Sequence, residues 1–211
     1  MRLLITAGPT REYLDDVRFL SNASTGRMGC AIARAAVGRG HEVVLICGPL
    51  EVAPPPSCVR DVVSTADMLA RCREEFPKAD ALIMAAAPAD FRPARRVKGK
   101  MKKSPKPLSL RLVSAPDILA ELASHRTTQV LVGFALEAHD LDNNARRKLH
   151  DKHLDLIVAN TPEAIAAERS TVHVLYPDDT REVLDDLPKE AIAERLVEIV
   201  ERLVAERRRD A

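Results

Sequence analysis

The sequence is poor in aromatic residues, in glycine and in net charge. Of its 211 residues 3% are aromatic, none is tryptophan, and 8 are glycine. The formal net charge is +1, so no strong overall field favours a nucleic acid or a membrane surface as partner. Side chains on which unpaired bases could stack are scarce as well, which makes single-stranded nucleic acid a poor candidate ligand.

Two further absences concern membranes and cysteine chemistry. No apolar run approaches the ~20 residues of a membrane span, and the chain enters an apolar strand at its N-terminus, so we expect neither a span nor a signal peptide. None of the four cysteines, Cys30, Cys47, Cys58 and Cys72, stands in a C-x-x-C pair. Three lie in apolar stretches, which indicates buried thiols in a reducing compartment. The expected location is the cytoplasm.

Several familiar site signatures are also missing. The first strand is followed by GPTR and not by the dinucleotide fingerprint G-x-G-x-x-G, which disfavours a standard dinucleotide site. There is no P-loop lysine motif and no G-x-S-x-G elbow. The six histidines form neither H-x-x-H nor H-E-x-x-H, so we predict no metal site made by histidine.

What the sequence does contain is a regular alternation of apolar segments. Strand patterns occupy residues 2–7, 41–47, 59–63, 80–87, 108–113, 129–134, 154–159 and 171–176, and helical patterns 26–40, 64–76, 116–124, 142–153 and 189–207. This order predicts an α/β fold, a Rossmann-like doubly wound and mostly parallel sheet with helices on both faces. We expect a single domain over residues 1–211, with ligands bound beyond the carboxyl ends of the strands.

Residues 21–29, SNASTGRMG, combine three hydroxyl residues, one carboxamide and two glycines before an alanine-rich helix. A helix N-terminus attracts anions, and small side chains let a charged ligand approach the backbone. The stretch is either an anion site or only a helix start capped by Ser24 or Thr25. Local sequence does not separate the two. Asn22 can stabilise an oxyanion or orient a carbonyl, although by itself a turn residue is the commoner interpretation.

A long stretch without periodicity, residues 86–106, follows the fourth strand. Within six positions it carries Lys98, Lys100, Lys102 and Lys103. Such a run is usually a solvated cluster, but a mobile lysine flap at the ligand end of the sheet also suits a polyphosphate.

Two other features could contact the same ligand. Asp90 closely follows the fourth strand and could bind a ribose hydroxyl or the Mg²⁺ of a nucleotide, or it could cap the loop. Lys148 and Lys152 share one helix face at i, i+4, where plain surface charge is the simpler interpretation.

Seven blocks of the sequence together resemble the bacterial phosphopantothenate–cysteine ligase family. They are ITAGPTR at 5–11, the stretch 17–29, MAAAPADFRP at 84–93, KMKK at 100–103, APDI at 115–118, VGFALE at 132–137 and KHLDLIVAN at 152–160. They occur in the family's order and cover nearly the whole chain. The family is usually the C-terminal half of a bifunctional coenzyme A biosynthesis flavoprotein. Its flavin-dependent decarboxylase half is not in this sequence, so no flavin is expected here.

The resemblance implies a ligase reaction in two steps. The carboxylate of 4′-phosphopantothenate attacks the α-phosphate of CTP and releases pyrophosphate, with Mg²⁺ accompanying the nucleotide. The acyl-cytidylate then reacts with the amine of L-cysteine, giving 4′-phosphopantothenoylcysteine and CMP. A homodimer is implied, as is phosphopantothenoylcysteine decarboxylase, fused or separate, as the next enzyme.

The resemblance also implies roles for individual positions. Lys100 would be needed to form the acyl-cytidylate, and Asn22 would serve its conversion to the amide. The implied nucleotide-binding positions are Met84, Ala85, Ala86, Asp90, Lys100, Ala115, Pro116, Asp117, Ile118, Phe134, Lys148 and Lys152. Those implied for the phosphate of phosphopantothenate are Ser24, Thr25, Gly26, Arg27 and Gly29.

Two alternatives from other classes stay open. One is a Rossmann-like NAD(P)-binding oxidoreductase or sensing module, against which the missing fingerprint and the lysine flap argue. The other is nucleic-acid binding through residues 98–103 and 207–209, which the near-zero net charge and scarce aromatics disfavour.

Overall fold

The structure is a computed structural model that describes residues 1–55, 59–165 and 167–209. Its strands are β1 (Arg2–Ala7), β2 (Glu12–Tyr13), β3 (Phe19–Leu20), β4 (Glu42–Cys47), β5 (Val59–Asp61), β6 (Ala81–Met84), β7 (Phe91–Pro93), β8 (Leu112–Ser114), β9 (Val130–Leu136), β10 (Leu156–Asn160), β11 (Arg169–Leu175) and β12 (Arg181–Pro188). Its α-helices are α1 (Arg27–Gly38), α2 (Thr65–Glu75), α3 (Ile118–Ser124), α4 (Leu141–Asp151) and α5 (Lys189–Arg209).

An eight-stranded sheet forms the centre of the fold. Its order is β12-β11-β10-β9-β6-β1-β4-β5. The six strands from β10 to β5 are parallel, and the antiparallel strands β11 and β12 extend one edge. The predicted Rossmann-like, doubly wound and mostly parallel α/β fold is thereby confirmed.

The central strand β1 shows why the helices cover both faces of this sheet. Its run LLITA is buried throughout, as expected of a parallel strand with no solvent-facing side. Leu3 and Ile5 pack on the face that α1 and α5 cover. Leu4 packs on the other face, against α2, α3 and α4.

The C-terminal helix α5 belongs to the core. Ile192, Leu196, Ile199 and Val200 are at most 1% exposed, and Leu203 packs partly buried against the same cluster. These positions recur at helical spacing on one face. This face of α5 therefore packs in the core.

The predicted strand 108–113 is wrong in place and in partner. β8 begins only at Leu112 and pairs antiparallel with β7, in a ribbon separate from the main sheet. The sequence LSLRL alternates apolar and polar residues, as a half-buried strand does. In the structure, however, Leu108 and Leu110 are 69% and 45% exposed. Alternation predicts a strand only where one face finds a partner. Residues 94–111 instead form the lysine-bearing flap between β7 and β8.

The sequence pattern does not reveal β12. Half of its residues, REVLDDLP, are charged, and among the eight Leu184 alone is buried. A strand at the edge of a sheet is commonly polar in this way, because charged side chains prevent association of exposed edges. Its existence is decided by pairing with β11 and not by its own periodicity.

The described cysteines Cys30, Cys47 and Cys72 are buried, which confirms their interpretation as buried thiols; Cys58 lies outside the described residues. Burial raises the pKa of Cys72 to about 12, so this thiol stays protonated at neutral pH. Among the described helices, none is long and apolar enough to cross a membrane.

Candidate functional site

The carboxyl ends of β1 and β6 meet at the point where the strand order reverses. From β1 the chain continues to β4 on one side, whereas β6 lies on the other side. Loops that leave such a point in opposite directions open a crevice, and a pocket of about 730 Å³ lies there. Every residue predicted to bind substrate or nucleotide lines this pocket, except Lys100.

Residues 21–29 form one wall of the pocket and lead into α1. Gly26 is the N-cap with a φ of 79°, in the left-handed region that glycine adopts readily. The prediction that Ser24 or Thr25 caps the helix is wrong, since among the described residues no side chain caps it. Their hydroxyls accept only long contacts, of 3.4 Å from the Gly26 N–H and 3.5 Å from the Arg27 N–H. A helix start without a side-chain cap suits an anion.

Gly29 lets α1 lie directly on β1. A Cβ at this position would stand 2.6 Å from the Ala7 Cβ and 2.8 Å from the Thr6 carbonyl oxygen. The second glycine of the stretch is therefore needed for packing, and it places the helix N-terminus at the end of the central strand.

Asn22 joins the two loops across the crevice. Its Nδ2 donates to the carbonyl oxygens of Ala87 and Pro88, at 3.1 and 3.0 Å. Both amide protons are thus engaged with the loop that follows β6, and the side-chain oxygen remains as an acceptor. Asn22 can therefore be both a turn residue and a functional residue. The contact that orders the loop after β6 also places its carboxamide at the pocket.

Two threonines, which the sequence pattern gives no reason to select, hold the loop after β6. Thr6 Oγ1 accepts from the Ala86 N–H at 3.1 Å, and Thr10 Oγ1 accepts from the Ala89 N–H at 2.9 Å. Both threonines are fully buried. They replace strand pairing beyond the end of β6, so the predicted nucleotide-binding backbone at 84–90 is fixed from β1 and its loop.

The opposite wall carries the two lysines of α4, each bound to a carboxylate. Lys148 Nζ donates to Glu137 Oε1 at 2.5 Å, and Lys152 lies 2.8 Å from Asp117 Oδ2. Asp117 also caps α3 by accepting from the Ala120 N–H. Burial acts to raise the pKa of Asp117, but Lys152 and the cap lower it below its usual value. These contacts hold both lysines at the pocket, where a phosphate can compete for them.

Lys100 is exposed and stands away from the pocket lining, but the backbone on both sides of it is anchored. The Gly99 N–H donates to Asp16 Oδ2 at 2.7 Å, and the Met101 N–H donates to Asp15 Oδ2 at 3.0 Å. Arg18 adds a bond to the Met101 carbonyl. The base of the flap is therefore attached to the turn that precedes residues 21–29.

Asp15 is the strongest of these anchors. Its side chain is fully buried, which acts to raise its pKa. The N–H groups of Val17, Arg18 and Met101 and the Arg18 guanidinium outweigh burial and hold the pKa well below its usual value. Asp15 is thus a structural carboxylate, charged throughout the physiological range.

Metal ligands are few at this site. Within the described ranges, no three His, Cys, Asp or Glu side chains cluster in a way that could hold a metal ion. Asp90 is exposed at the pocket. A single carboxylate fits Mg²⁺ that arrives with a nucleotide, since this ion is commonly bound by one or two carboxylates and the phosphates of the substrate.

The far wall of the pocket includes residues that the sequence analysis does not select. Ser170 and Lys189 are both buried and line the pocket together with Arg27. Ser170 belongs to no recognisable motif. Lys189 has the sequence pattern of an ordinary first residue of a helix. Only the return of β11 and α5 to the end of the sheet brings them to the cavity.

The fold and the pocket together define a Rossmann-like α/β protein with its ligand site at the switch point of a parallel sheet. The chain belongs to the family described as DNA/pantothenate metabolism flavoprotein C-terminal domain, which matches residues 1–203.

Individual relatives agree with this assignment. The chain is 42% identical over 193 residues to the coenzyme A biosynthesis bifunctional protein CoaBC of Bacillus subtilis (strain 168), covering 89% of this chain and 48% of that protein. It therefore spans about half the length of this curated relative. A crystal structure of the C-terminal domain of a CoaBC protein superposes with a TM-score of 0.84 at 33% identity, covering 97% and 96% of the two chains.

A more distant structure shares the fold alone. It is a Cab2 mutant in complex with phosphopantothenate-cysteine, with a TM-score of 0.82 at 18% identity over 97% of this chain and 88% of that one.

Proposed function

We propose that this chain is a phosphopantothenate–cysteine ligase of coenzyme A biosynthesis that uses CTP. The observation that carries the proposal is that all but one of the implied substrate and nucleotide positions line the pocket at the switch point. Membership of the family, and the names of its CoaBC relatives, supply the reaction class. The choice of CTP over ATP rests on the sequence resemblance.

In the first step the carboxylate of 4′-phosphopantothenate attacks the α-phosphate of CTP, and pyrophosphate leaves. Negative charge is transferred to the departing pyrophosphate, so cations at that position stabilise the transition state. Lys148 and Lys152 are already held at the pocket by carboxylates. Lys100 joins them when the flap closes from its anchored base. Asp90 would hold Mg²⁺ that arrives with the nucleotide, and the ion would supply further positive charge there.

In the second step the amine of L-cysteine attacks the acyl carbon, and CMP leaves. Asn22 donates both amide protons to the loop after β6, so its Oδ1 is the atom offered to the reactants. That oxygen accepts from the incoming amine and orients its lone pair toward the acyl carbon. Asn22 also keeps the two loops at a constant separation while the acyl-cytidylate is bound.

The decisive assay measures pyrophosphate release with 4′-phosphopantothenate, Mg²⁺ and either CTP or ATP, and amide formation after L-cysteine is added. We expect release with CTP that requires phosphopantothenate. Equal rates with ATP would remove the nucleotide assignment. Tight NAD(P)H binding without any response to CTP would replace the ligase by the oxidoreductase or sensing alternative.

Lys100→Ala tests the role of the flap in the first step. Removal of a charge that stabilises the transition state costs about 100-fold or more, so pyrophosphate release should fall by at least that factor with folding unchanged. Lys106→Ala, an exposed lysine of the same flap, is the matched control and should retain the rate. Equal losses in both variants would indicate a general charge effect.

A further inference from the structure

We propose a phosphate subsite at the far wall of the pocket, where the Ser170 hydroxyl and the Lys189 ammonium face the 24–27 turn and bind the 4′-phosphate of phosphopantothenate. This inference rests on the proposed function for the identity of the ligand. It adds β11 and α5 to a phosphate site for which the sequence indicates only residues 21–29.

The Ser170 hydroxyl points to a missing ligand atom. Ser170 is 8% exposed and lines the pocket. Its Oγ is the one buried side-chain oxygen or nitrogen without a hydrogen-bond partner in the part of the chain that the structure describes. A buried hydroxyl without a partner is destabilising. A ligand that accepts a hydrogen bond from the Ser170 hydroxyl would explain why this serine lies at the cavity wall.

Lys189 supplies a cation that is not neutralised by a carboxylate contact. Its Nζ donates to the carbonyl oxygens of Ala164 and Ala167, at 2.7 and 2.5 Å. An ammonium has three donors, so one is left for a ligand. Lys189 is 6% exposed and its pKa is lowered, first by burial and then by the nearby charge of Arg27, while the charge of Glu190 acts to raise it. The buried ammonium keeps one donor for a ligand in the pocket that it lines.

Charges of both signs lie next to this group. Glu168, Arg169 and Glu190 line the adjoining groove that Arg27 and Lys189 share with the main pocket. Arg169 is bound to Asp186. The turn at the start of α1 adds a helix N-terminus without a side-chain cap, which prefers a negative partner. Serine hydroxyl, lysine and helix start are the donors that a phosphate monoester uses.

The position of the group separates this phosphate from the nucleotide. α1 and α5 cover one face of the sheet, and α4 with Lys148 and Lys152 covers the other. The pocket therefore has a basic wall on each side of the sheet edge, which matches two anionic substrates bound at once. We assign the α4 wall to the triphosphate and the Ser170–Lys189 wall to the phosphate of the acyl substrate.

The test compares Ser170→Ala with the wild-type chain by calorimetric binding of 4′-phosphopantothenate and of pantothenate, which lacks the phosphate. Loss of a hydrogen bond to a charged group should weaken phosphopantothenate binding about tenfold or more. Pantothenate and CTP binding should not change. Because Oγ has no partner in the ligand-free chain, the melting temperature should stay the same or rise. Ser124→Ala, an exposed serine on α3, is the control and should match wild type.

Lys189→Arg and Lys189→Gln extend the test, because the arginine keeps the charge that the glutamine loses. Phosphopantothenate binding should be weaker in the glutamine variant than in the arginine variant, while pantothenate binding is equal in both. Unchanged phosphopantothenate binding in Ser170→Ala would overturn the subsite, as would an equal loss for pantothenate or a selective loss for CTP.

The outcomes also separate the subsite from the ligase proposal. If the wild-type chain releases no pyrophosphate but binds phosphopantothenate in a way that depends on Ser170 and on the phosphate, the subsite stands and the ligase function falls. If the wild-type chain is active and the Ser170 and Lys189 variants bind and turn over as it does, the function stands and the subsite falls.

Discussion

Asn22 is one of the residues through which the two loops of the switch point contact each other. Its two donated bonds reach successive carbonyl oxygens of the loop after β6. Three residues of β1 and its loop support the same backbone from the other side: Thr6, Gly8 and Thr10. The geometry of this part of the pocket thus depends on a few hydrogen bonds, and single substitutions can remove those made by the side chains of Asn22, Thr6 and Thr10.

Asn22→Asp should separate the two chemical steps. The variant keeps a side-chain oxygen but has no amide protons for the carbonyl oxygens of Ala87 and Pro88, so three acceptors would face one another. The displaced side chain would no longer orient the incoming amine, so amide formation should fall about 100-fold while pyrophosphate release continues and the acyl-cytidylate accumulates. Quenched-flow analysis of the intermediate checks this. Continued amide formation with no trapped intermediate would remove Asn22 from the second step.

Asp15 predicts a specific dependence of stability on pH. Its pKa is lower in the folded chain than the usual 3.8, so its stabilising effect is fully present above that value and is lost as the pH falls through the lower, folded-state pKa. Asp15→Asn should therefore be less stable than wild type at pH 7, with a difference that shrinks below about pH 4. Urea unfolding between pH 3 and 7 measures it, and a constant difference across this range would contradict the assignment.

At the scale of elements, the start of α1 and the base of the flap are built on the same stretch of chain. After β1 the chain forms the 14–18 turn, which anchors Gly99 and Met101 of the flap. Residues 21–29 follow this turn and lead into α1. A displacement of this stretch would shift the phosphate wall and the flap together. Flap closure and substrate binding are for this reason expected to be linked.

Gly29→Ala tests the contact between α1 and β1. The added methyl would meet the Thr6 carbonyl and the Ala7 side chain at less than 3 Å, so the helix must move. We expect a loss of about 1–3 kcal/mol in the free energy of unfolding and a higher KM for phosphopantothenate. Gly38→Ala is the control, because a Cβ there has nothing within 4 Å. Equal stability of the two variants would show that the close approach does not limit packing.

At the scale of the whole molecule, the sheet carries two cores that meet only through its strands. One lies under α1 and α5, the other under α2, α3 and α4. The pocket opens at the edge common to both, which lets substrates reach the switch point from either face. Exposed apolar side chains gather elsewhere, on the β2–β3 hairpin and the flap ribbon: Val17, Phe19, Phe91, Leu108, Leu110 and Leu112.

This apolar surface is where we expect the homodimer that the resemblance implies. Light scattering should give a mass of twice 23.2 kDa, because contiguous exposed apolar side chains commonly mark a protein interface. Phe91→Ser combined with Leu110→Ser should shift the mass toward the monomer. Arg71→Ser with Lys78→Ser, which removes two exposed charges outside this set of apolar residues, should not. A monomeric wild-type chain would contradict the dimer.

The sequence by itself determined the parallel sheet, its central strands and most of the pocket. Buried parallel strands such as β1 and β6 are continuous apolar runs, and their loops fall at the ligand end by topology alone. Residues 21–29 and 84–90 follow two of these strands, whereas 115–118 and 148–152 were named only through the resemblance; all of these stretches contribute to one cavity. Their chemical roles stay predictions.

Only the tertiary structure decided what depends on partners distant in the chain. β12 exists because β11 offers an edge, and residues 108–111 are no strand because nothing covers their leucines. Thr6 and Thr10 act through a loop about 80 residues away. Ser170 and Lys189 reach the pocket because the start of β11 and the start of α5 both lie beside it. Such contacts have no local signature, since hydrogen bonds and burial arise where elements meet and not from the order of residues within one element.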